Sequence, residues 1–494
     1  MQGVRSPAIT IEQLDLAFFG DRLDVPAYIA HPDDDRPDLM EKALRHIGWM
    51  LTAQDYPEID AFKQQTITLR CGRPDLSMLT DDELVARARM TQPLLQTGFH
   101  HHGVASSASG VAPGILYAIG DAIDDPTMPM VLCSGIGNVD SAEPSYRMWE
   151  LSRQVRASRI LTTVFNAGVD GLLDRLKSEA SADAAEFLAA WDQFIIDFGS
   201  RGPSEWEMAS PTRETEPELA LAALNQTRWQ TDVESPANRN QTKVIERTTK
   251  IAEVRAAVAA LGNDGLNAQL EVAIVATNQL AFRERTKTNL VRVVHEGRMV
   301  FRELGRRHGL AGNLNHVEHV FMLLDDEVES FVKNPTFMTT TLAGRYEQWH
   351  ELWDLEPPFI ITDGNVPPLP QWPRKGQAIV ESVATGDILQ GIPGCPGVVQ
   401  GIARVILDPR DPMALEPGDI MIAPVLDPAW TPLFMTAGGV IVNVGGQISH
   451  AIIVSRELGL PSVVSVEHAT DQIPNGATIE VNGATGKITI IELP

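Results

Sequence analysis

The spacing of apolar residues separates a long helical part of the chain from a shorter C-terminal part built of strands. Residues 39–51 carry apolar side chains at helical spacing, and Asp81-Asp82-Glu83 places three acidic residues at the start of a second predicted helix. Residues 148–310 continue the helical pattern with few breaks. A proline-dense stretch at 357–373 then ends it, because proline lacks a backbone N–H and does not fit a helix interior.

Short β-branched runs bounded by glycine and proline replace the helical pattern in the C-terminal part. We predict strands at 398–407, 419–423, 440–444, 462–466, 478–481 and 487–491, with two helices between them. The chain is therefore expected to have a multidomain α+β fold. Its parts are a mainly α-helical domain over residues 1–362, a proline-rich linker over 363–388 and a small β/α domain over 389–494.

His450 lies where the predicted strand 440–444 passes through a glycine pair into a helix over 451–458, which Gly459 and Pro461 end. The first turn of a helix gathers free backbone N–H groups and the positive end of the helix dipole, which suit a phosphate group. The same field disfavours imidazolium, so a histidine here stays neutral and nucleophilic near pH 7. His450 is thus a candidate phosphoryl carrier, the alternative being a helix-capping or core histidine.

The composition of the chain indicates which binding partners and which cellular compartment are expected. The chain has 494 residues and a formal net charge of −25, which argues against binding to nucleic acid or to anionic membranes. Its three cysteines are widely spaced and form neither a disulfide framework nor a zinc motif. No apolar run is long enough to span a bilayer, and the first residues lack the apolar core of a signal peptide. We expect a cytoplasmic protein with no metal bound by this chain.

Three segments around His450 resemble the swivelling phosphohistidine domain of phosphoenolpyruvate synthases, pyruvate phosphate dikinases and rifampicin phosphotransferases. They read Asp-Pro-Ala-Trp-Thr-Pro-Leu-Phe at 427–434, Gly-Gly-x-x-Ser-His-Ala at 445–451 and Arg-Glu-Leu-Gly-Leu-Pro at 456–461. The resemblance covers roughly residues 389–494 and implies that His450 accepts the phosphoryl group. It also implies a phosphohistidine loop composed of Gly445, Gly446, Gln447, Ser449 and Arg456.

Residues 199–205, Gly-Ser-Arg-Gly-Pro-Ser-Glu, resemble a Gly-His-Arg-Gly-Pro-x-Glu motif in the substrate domain of rifampicin-phosphotransferase-like proteins. Ser200 replaces the histidine of that motif, so any role of its imidazole is absent here or has moved elsewhere. Arg201 and Glu205 remain as candidate substrate-binding residues. The alternative is a structural pair in the turn that follows a helix.

Arg283-Glu-Arg-Thr-Lys287 resembles an Arg-Glu-x-x-Lys segment of the same substrate domains. Arg283 and Lys287 are four residues apart and therefore share one helix face. Two cations on one face can stabilise the charge of a transferring phosphoryl group, and we treat both as candidate catalytic residues. The alternative is a solvated face on which charges pair locally.

Three consecutive histidines, His100, His101 and His102, form the remaining candidate group. Consecutive side chains point in different directions, so the three do not readily bind one metal ion. Contact with substrate and a structural or surface position are the two readings left open. The small-residue run that follows, 104–114, is expected to line a pocket or to form a loop.

No segment resembles the ATP-grasp domain that charges the histidine in dikinase-type enzymes, and no Gly-x-x-x-x-Gly-Lys-[Ser/Thr] loop occurs. The resemblance therefore implies a separate ATP-grasp subunit that holds Mg²⁺ and ATP, as in two-component phenylphosphate synthases and alkylphenol-phosphorylating systems. We expect this chain to be the acceptor-binding, phosphohistidine-carrying subunit, with ATP, a phenol and water giving an aryl phosphate, AMP and phosphate.

The proton of the acceptor would pass to one of the three histidines or to Glu205. Two alternatives to a phenolic acceptor remain. A rifamycin-like natural product would change the acceptor but not the mechanism, and a non-enzymatic phosphocarrier would have no acceptor pocket.

Overall fold

The computed structural model describes residues 37–357, 366–375, 382–408, 415–427 and 430–494. The helices are α1 (Pro37–Thr52), α2 (Pro57–Cys71), α3 (Asp81–Ser109), α4 (Val111–Ala122), α5 (Met128–Leu132), α6 (Glu143–Ala157), α7 (Arg159–Asn166), α8 (Leu172–Ser178), α9 (Ala182–Phe198), α10 (Glu218–Thr227), α11 (Pro236–Ala260), α12 (Asp264–Ala276), α13 (Asn278–Leu310), α14 (Val328–Lys333), α15 (Thr339–Leu352), α16 (Thr431–Phe434), α17 (His450–Leu458) and α18 (Ala469–Gln472). The strands are β1 (Ile388–Gln390), β2 (Ile392–Cys395), β3 (Val398–Val405), β4 (Ile420–Ala423), β5 (Gly439–Val442), β6 (Ser462–Val464), β7 (Thr478–Asn482) and β8 (Lys487–Glu492).

The predicted fold class is confirmed, since a mainly helical domain precedes a small β/α domain. Residues 363–365 and 376–381 of the predicted linker lie outside the described ranges. Residues 428–429 of the motif at 427–434 also lie outside them. The domain boundaries therefore stay predictions.

Helix α3 begins as its sequence predicts and runs further than expected. The Thr80 hydroxyl accepts a hydrogen bond from the Glu83 amide, and the Glu83 carboxylate accepts one from the Thr80 amide, which forms a capping box. The helix then continues through the three histidines, so the expectation of a loop over 104–114 was wrong. Ser107 donates to the carbonyl of Gly103, and Ala105 and Ala108 are fully buried, so small residues here serve helix packing.

The longest helix, α13, is the central element of the helical domain. The sequence predicted one helical pattern up to Leu310, but a break at Thr277 separates α12 from α13. The Thr277 hydroxyl donates to the carbonyl of Ile274 and accepts from Arg247, which fixes the break. Helix α13 packs along α3 and α2, and its residues are buried on most sides.

One eight-stranded mixed sheet forms the C-terminal domain, in the order β1-β8-β7-β3-β4-β5-β6-β2. Strands β3, β4, β5 and β6 are parallel neighbours, and the outer pairs are antiparallel. All residues of β4, β5 and β6 are buried, as expected for parallel strands covered on both faces. The six predicted strands are confirmed, whereas β1 and β2 and the third short helix were missed.

The two domains are docked on each other. Ile448 and Ile453 of the C-terminal domain belong to an apolar cluster that also contains Leu132 and Val139 of the helical domain. On another side, the Gln230 amide donates to the carbonyl of Met435 at 2.6 Å. The domain that carries His450 is thus held by apolar and polar contacts together. No helix in the described part of the chain is both long and apolar enough to cross a bilayer.

Candidate active site

Helix α17 brings His450 to the interface between the domains. Strand β5 ends at Val442, and a loop with Gly445 and Gly446 leads to Ser449, whose extended backbone caps the helix. His450 is its first residue, and Gly459 ends it in a left-handed conformation with φ of 65°, as predicted. Glycine adopts that conformation without the strain a side chain would cause. The first backbone N–H groups of α17, which have no acceptor within the helix, lie beside His450.

His450 contacts a carboxylate of the helical domain. Its Nδ1 lies 2.8 Å from Oε2 of Glu284 on α13, and both side chains are almost completely buried. Burial favours the protonated form of Glu284, but its hydrogen bond with His450 and the charges of Arg283 and Lys287 outweigh burial and hold the Glu284 pKa well below its ordinary value. Glu284 therefore faces His450 as a carboxylate.

This contact decides which nitrogen of His450 is free to react. Burial lowers the pKa of His450, so the ring is neutral near pH 7. A carboxylate only accepts hydrogen bonds, so Nδ1 carries the single ring proton and donates it to Glu284. Nε2 is left with its lone pair, and this buried atom has no hydrogen-bond partner within the described ranges. Nε2 is thus the nucleophilic nitrogen of the docked state.

Cations surround the pair. Arg283 donates to the second oxygen of Glu284, and the Lys287 ammonium lies 3.3 Å from Glu205 Oε1. Both cations affect the pKa of Glu284, and Lys287 also affects the pKa of His450, so they face the interface as their spacing predicts. Their side chains are only 18% and 12% exposed, so this face is not solvated, although both cations lie against carboxylates, Arg283 against Glu284 and Lys287 against Glu205.

Arg201 and Glu205 form a buried ion pair next to Lys287. Arg201 Nε donates to Glu205 Oε2 at 2.7 Å, and its Nη1 donates to Thr288 Oγ1 at 2.7 Å, one helical turn beyond Glu284. Burial raises the pKa of Glu205, but Arg201 and Lys287 outweigh it and the net shift is downward. Arg201, Arg283 and Lys287 thus lie with Glu205 and Glu284 in one buried cluster of charges.

The three histidines take three different positions on α3. His100 is exposed, and Nδ1 of His101 lies 3.3 Å from the Tyr56 hydroxyl, away from the interface. His102 faces α13, with Nδ1 3.1 Å from Thr286 Oγ1. Burial and then the charge of Arg283 lower the pKa of His102 to about 4. Of the three, only His102 lies at the candidate site.

The tautomer of His102 follows from its neighbour. The Thr286 hydroxyl donates its single proton to the carbonyl of Arg283, so it accepts from His102. Nδ1 therefore carries the proton, and Nε2 of His102 has a free lone pair. A neutral histidine of this kind is able to accept a proton near pH 7.

An aromatic wall adjoins the cations. The rings of Phe99 and Trp206 are stacked with centroids 5.9 Å apart, and both side chains are substantially exposed. The Trp206 ring lies 5.8 Å from the Lys287 ammonium and 6.1 Å from the His102 ring. This wall offers a flat apolar surface next to Lys287 and His102.

The residues named for the phosphohistidine loop divide into two groups. Gly445, Gly446, Gln447 and Ser449 precede His450 directly, and the Ser449 amide donates to the carbonyl of Gly446 at 2.9 Å. Arg456 lies in the last turn of α17 and donates to the carbonyl of Gly394 at 2.9 Å. Arg456 thus links α17 to strand β2 and does not meet the His450 ring.

A cleft of about 450 Å³ lies elsewhere, lined by Arg73, Leu76, Arg302, Arg306 and Phe321 among others. Arg302 follows Glu284 by 18 residues on α13, about 27 Å along a helix with a rise of about 1.5 Å per residue. The cleft is therefore separate from the His450 site. Among the residues that the structure describes, no group of three or more His, Cys, Asp and Glu side chains is arranged to hold a metal ion.

Comparison with known families supports the resemblance for both domains. Residues 102–284 match the rifampicin phosphotransferase fourth domain, and residues 415–486 match the mobile domain of PEP-utilising enzymes. The first match contains His102, Arg201, Glu205 and Glu284, and the second contains His450. The chain therefore contains one region that matches the fourth domain of rifampicin phosphotransferase and one that matches the mobile domain of PEP-utilising enzymes.

Individual relatives agree with these matches. A protein of Mycobacterium tuberculosis (strain H37Rv) without an assigned function is 31% identical over 370 residues, covering 74% of this chain and 39% of the relative. The rifampicin phosphotransferases of Bacillus subtilis and Streptomyces sviceus are 35% and 32% identical over 36% and 43% of this chain, and over 20% and 24% of their own lengths. The chain thus spans well under half the length of these relatives.

Two residues of the site were not singled out from the sequence. Glu284 lies inside the Arg-Glu-x-x-Lys segment, in which the spacing of the two cations was interpreted and the carboxylate between them was not. Trp206 follows Glu205 directly, so an aromatic residue next to a candidate motif was the available signal.

Proposed function

We propose that the chain is the acceptor-binding, phosphohistidine-carrying component of a phosphotransferase of the dikinase type. The observation that carries the proposal is the contact of His450 with Glu284, which leaves Nε2 unprotonated on a ring that lies close to Lys287 and Arg201. A phosphoryl group on Nε2 would meet these cations and the N-terminus of α17. The matches to two phosphotransferase domains support the same reaction class.

The transfer step follows from the tautomer. The bond between Nε2 and phosphorus breaks as the acceptor oxygen bonds to phosphorus, and the electron pair of the broken bond stays on Nε2. With its proton on Nδ1, the ring leaves as neutral imidazole, a far better leaving group than an imidazolate. Glu284 is thus a positioning residue that keeps this proton on Nδ1, in the way that a carboxylate orients the histidine of a catalytic triad.

His102 is the proposed base for the acceptor proton. Both carboxylate oxygens of Glu205 are already engaged by Arg201 and Lys287, which leaves neither oxygen free for the acceptor proton. His102 is neutral, with Nε2 free to accept a proton, and close enough to Arg283 and Lys287 for their charges to lower its pKa. The acceptor hydroxyl would lie between His102 and the phosphoryl group.

A phenol or alkylphenol is the proposed acceptor. Phe99 and Trp206 supply a flat apolar surface beside Lys287, and an aromatic ring stacked there would place its hydroxyl toward the cations. Rifamycin-like compounds are the second candidate, because two of the relatives are named rifampicin phosphotransferases. They also carry an aromatic nucleus with hydroxyl groups.

A nucleotide-binding unit is proposed to charge His450 with the phosphoryl group, as a separate ATP-grasp subunit that holds Mg²⁺ and ATP. The domain that carries His450 is proposed to move between that subunit and the acceptor site. The 494 residues contain no glycine-rich phosphate-binding loop of the Gly-x-x-x-x-Gly-Lys-[Ser/Thr] type. Tight binding of Mg²⁺-ATP by this chain alone, measured by calorimetry, would contradict this part of the proposal.

Isotope exchange tests the acceptor half-reaction without the nucleotide-binding unit. If His450 carries the phosphoryl group, the chain alone should exchange labelled phenol into phenyl phosphate through the phosphohistidine, as ping-pong chemistry requires. Rifampicin with its phosphorylated product is the parallel pair. Exchange with phenol alone supports a phenolic acceptor, exchange with rifampicin alone supports the second candidate, and exchange with neither contradicts both.

The role of Glu284 predicts a defined loss. Glu284→Gln is expected to slow phenol exchange at least about 10-fold, the lower end of the range for losing a carboxylate that orients a metal-bound histidine, because an amide holds either tautomer. The control is Glu303→Gln on the same helix, where the carboxylate pairs with Arg306 outside the site. Equal exchange rates for the two variants would remove Glu284 from the mechanism.

A further inference from the structure

The two ends of α17 are both anchored in the helical domain, and the second anchor has no part in the chemistry. Glu457 lies seven residues after His450, about 10 Å along the helix axis at about 1.5 Å per residue. It is 2% exposed although it is a carboxylate on a helix of a domain that is proposed to move. A buried carboxylate loses its hydration and therefore needs several hydrogen-bond donors from the protein.

All of its observed donors come from the helical domain. Oε1 accepts from the Ile136 amide at 2.9 Å, and Oε2 accepts from the Gly137 amide at 3.4 Å and from the Asn240 side chain at 3.0 Å. Asn240 also donates to the backbone carbonyl of Glu457 at 3.0 Å. The carboxylate and the end of the helix are thus bound together.

The turn that supplies the amides has a backbone conformation that suits the binding of a carboxylate. Gly135, Gly137 and Asn138 have φ of 58°, 76° and 54°, a left-handed backbone that turns successive N–H groups toward one point. A side chain at Gly135 would overlap the backbone of Lys243 and Val244 on α11. Only glycine fits there, since the turn is strained and packed tightly at once.

A neighbouring arginine holds the turn in place. Arg247 donates to the carbonyl of Leu132 at 2.9 Å and to Thr277 Oγ1 at 3.0 Å, which ties α11 to α5 and to the break before α13. The positive charge of Arg247 also acts on Glu457. The turn is therefore fixed to the same helices that position Glu284.

We propose that the turn of residues 135–138, together with Asn240, is a carboxylate receptor that binds Glu457 and fixes the docked position of the mobile domain during transfer. The inference rests on the proposed function, in which that domain docks and departs. Glu457 at one end of α17 and His450 at the other set the position of the helix along its axis, with Ile453 packed between them. Nε2 of His450 then lies at a fixed place relative to Lys287.

Kinetics with Glu457→Gln tests this assignment. The amide keeps the shape but loses the charge, so the docked state should be less populated. We expect phenol exchange to slow about tenfold, with phenol affinity unchanged because the aromatic wall lies in the helical domain. Asn240→Ala should slow exchange by a similar factor. The double variant should be slowed by less than the product of the two factors, since the two substitutions remove the same interaction. The control is Glu467→Gln, an exposed carboxylate of the same domain.

Distance measurement gives a readout that does not depend on activity. Cys71 is exposed, whereas Cys133 and Cys395 are buried, so spin labels can be placed on Cys71 and on Glu492→Cys, an exposed position at the end of β8. We expect one narrow distance distribution with Glu457 present and a broad one after Glu457→Gln. Either an unchanged distance distribution or an unchanged exchange rate in Glu457→Gln would overturn the receptor assignment.

The two proposals fail in different ways. A broadened distribution without exchange in any variant would leave the receptor intact and contradict the proposed function. Normal exchange in Glu457→Gln would contradict the receptor and leave the proposed function in place.

Discussion

His450→Ala is expected to abolish both the exchange of phenol into phenyl phosphate and the labelling of the chain by phenyl phosphate that carries ³²P. The substitution removes the nitrogen to which the phosphoryl group is bonded. Affinity for phenol should change little, because Phe99, Trp206 and His102 belong to the other domain. Label on the wild-type chain should be lost in acid, since phosphohistidine is acid-labile.

His468→Asn is the matched control for this experiment. His468 is a half-exposed histidine of the same domain, and its left-handed backbone, with φ of 53°, tolerates asparagine. This variant should label and exchange normally. Label that persists in His450→Ala, or label that resists acid in the wild type, would contradict a phosphoryl group on His450.

Lys287→Ala is expected to slow transfer to the acceptor by about two to three powers of ten, the scale of losing one preorganised electrostatic contact. Its ammonium lies 3.3 Å from Glu205 and close to both His450 and Glu284, where phosphoryl charge would develop. The chain can be phosphorylated chemically with phosphoramidate and then mixed with phenol. Formation of phenyl phosphate measures the transfer step alone.

The control removes another cation from the same helix. Arg302→Ala lies at the distant cleft, so it should transfer at the wild-type rate. Loading with phosphoramidate should be equal in all three proteins, since it does not require the acceptor site. Normal transfer in Lys287→Ala would move the stabilising charge to Arg201.

Signals that are local in the sequence predicted His450 as the candidate phosphoryl carrier but did not predict its contact with Glu284. The strand, the glycine pair, His450 and the end of its helix are adjacent in sequence, so backbone rules locate all four. Glu284 is 166 positions away from His450, and only the docking of two domains brings them together. The free nitrogen of His450 therefore followed from the structure alone.

The three histidines illustrate a second limit. Sequence reasoning predicted that they point in different directions but not which one faces the site. Their positions depend on the rotation of α3 against α13, which long-range packing sets. The same packing explains why the prediction of a loop over residues 104–114 was wrong. Small residues suggested a flexible segment, but Ala105 and Ala108 are buried against neighbouring elements and favour a helix.

The near-complete burial of His450 has a consequence for how efficiently phosphoryl groups are used. A bond between nitrogen and phosphorus hydrolyses in water, and the docked ring is only 5% exposed. In the proposed cycle, hydrolytic loss is therefore confined to the interval in which the charged domain is in transit. The yield of product for each ATP consumed would then depend on the duration of that transit and on how quickly docking excludes solvent.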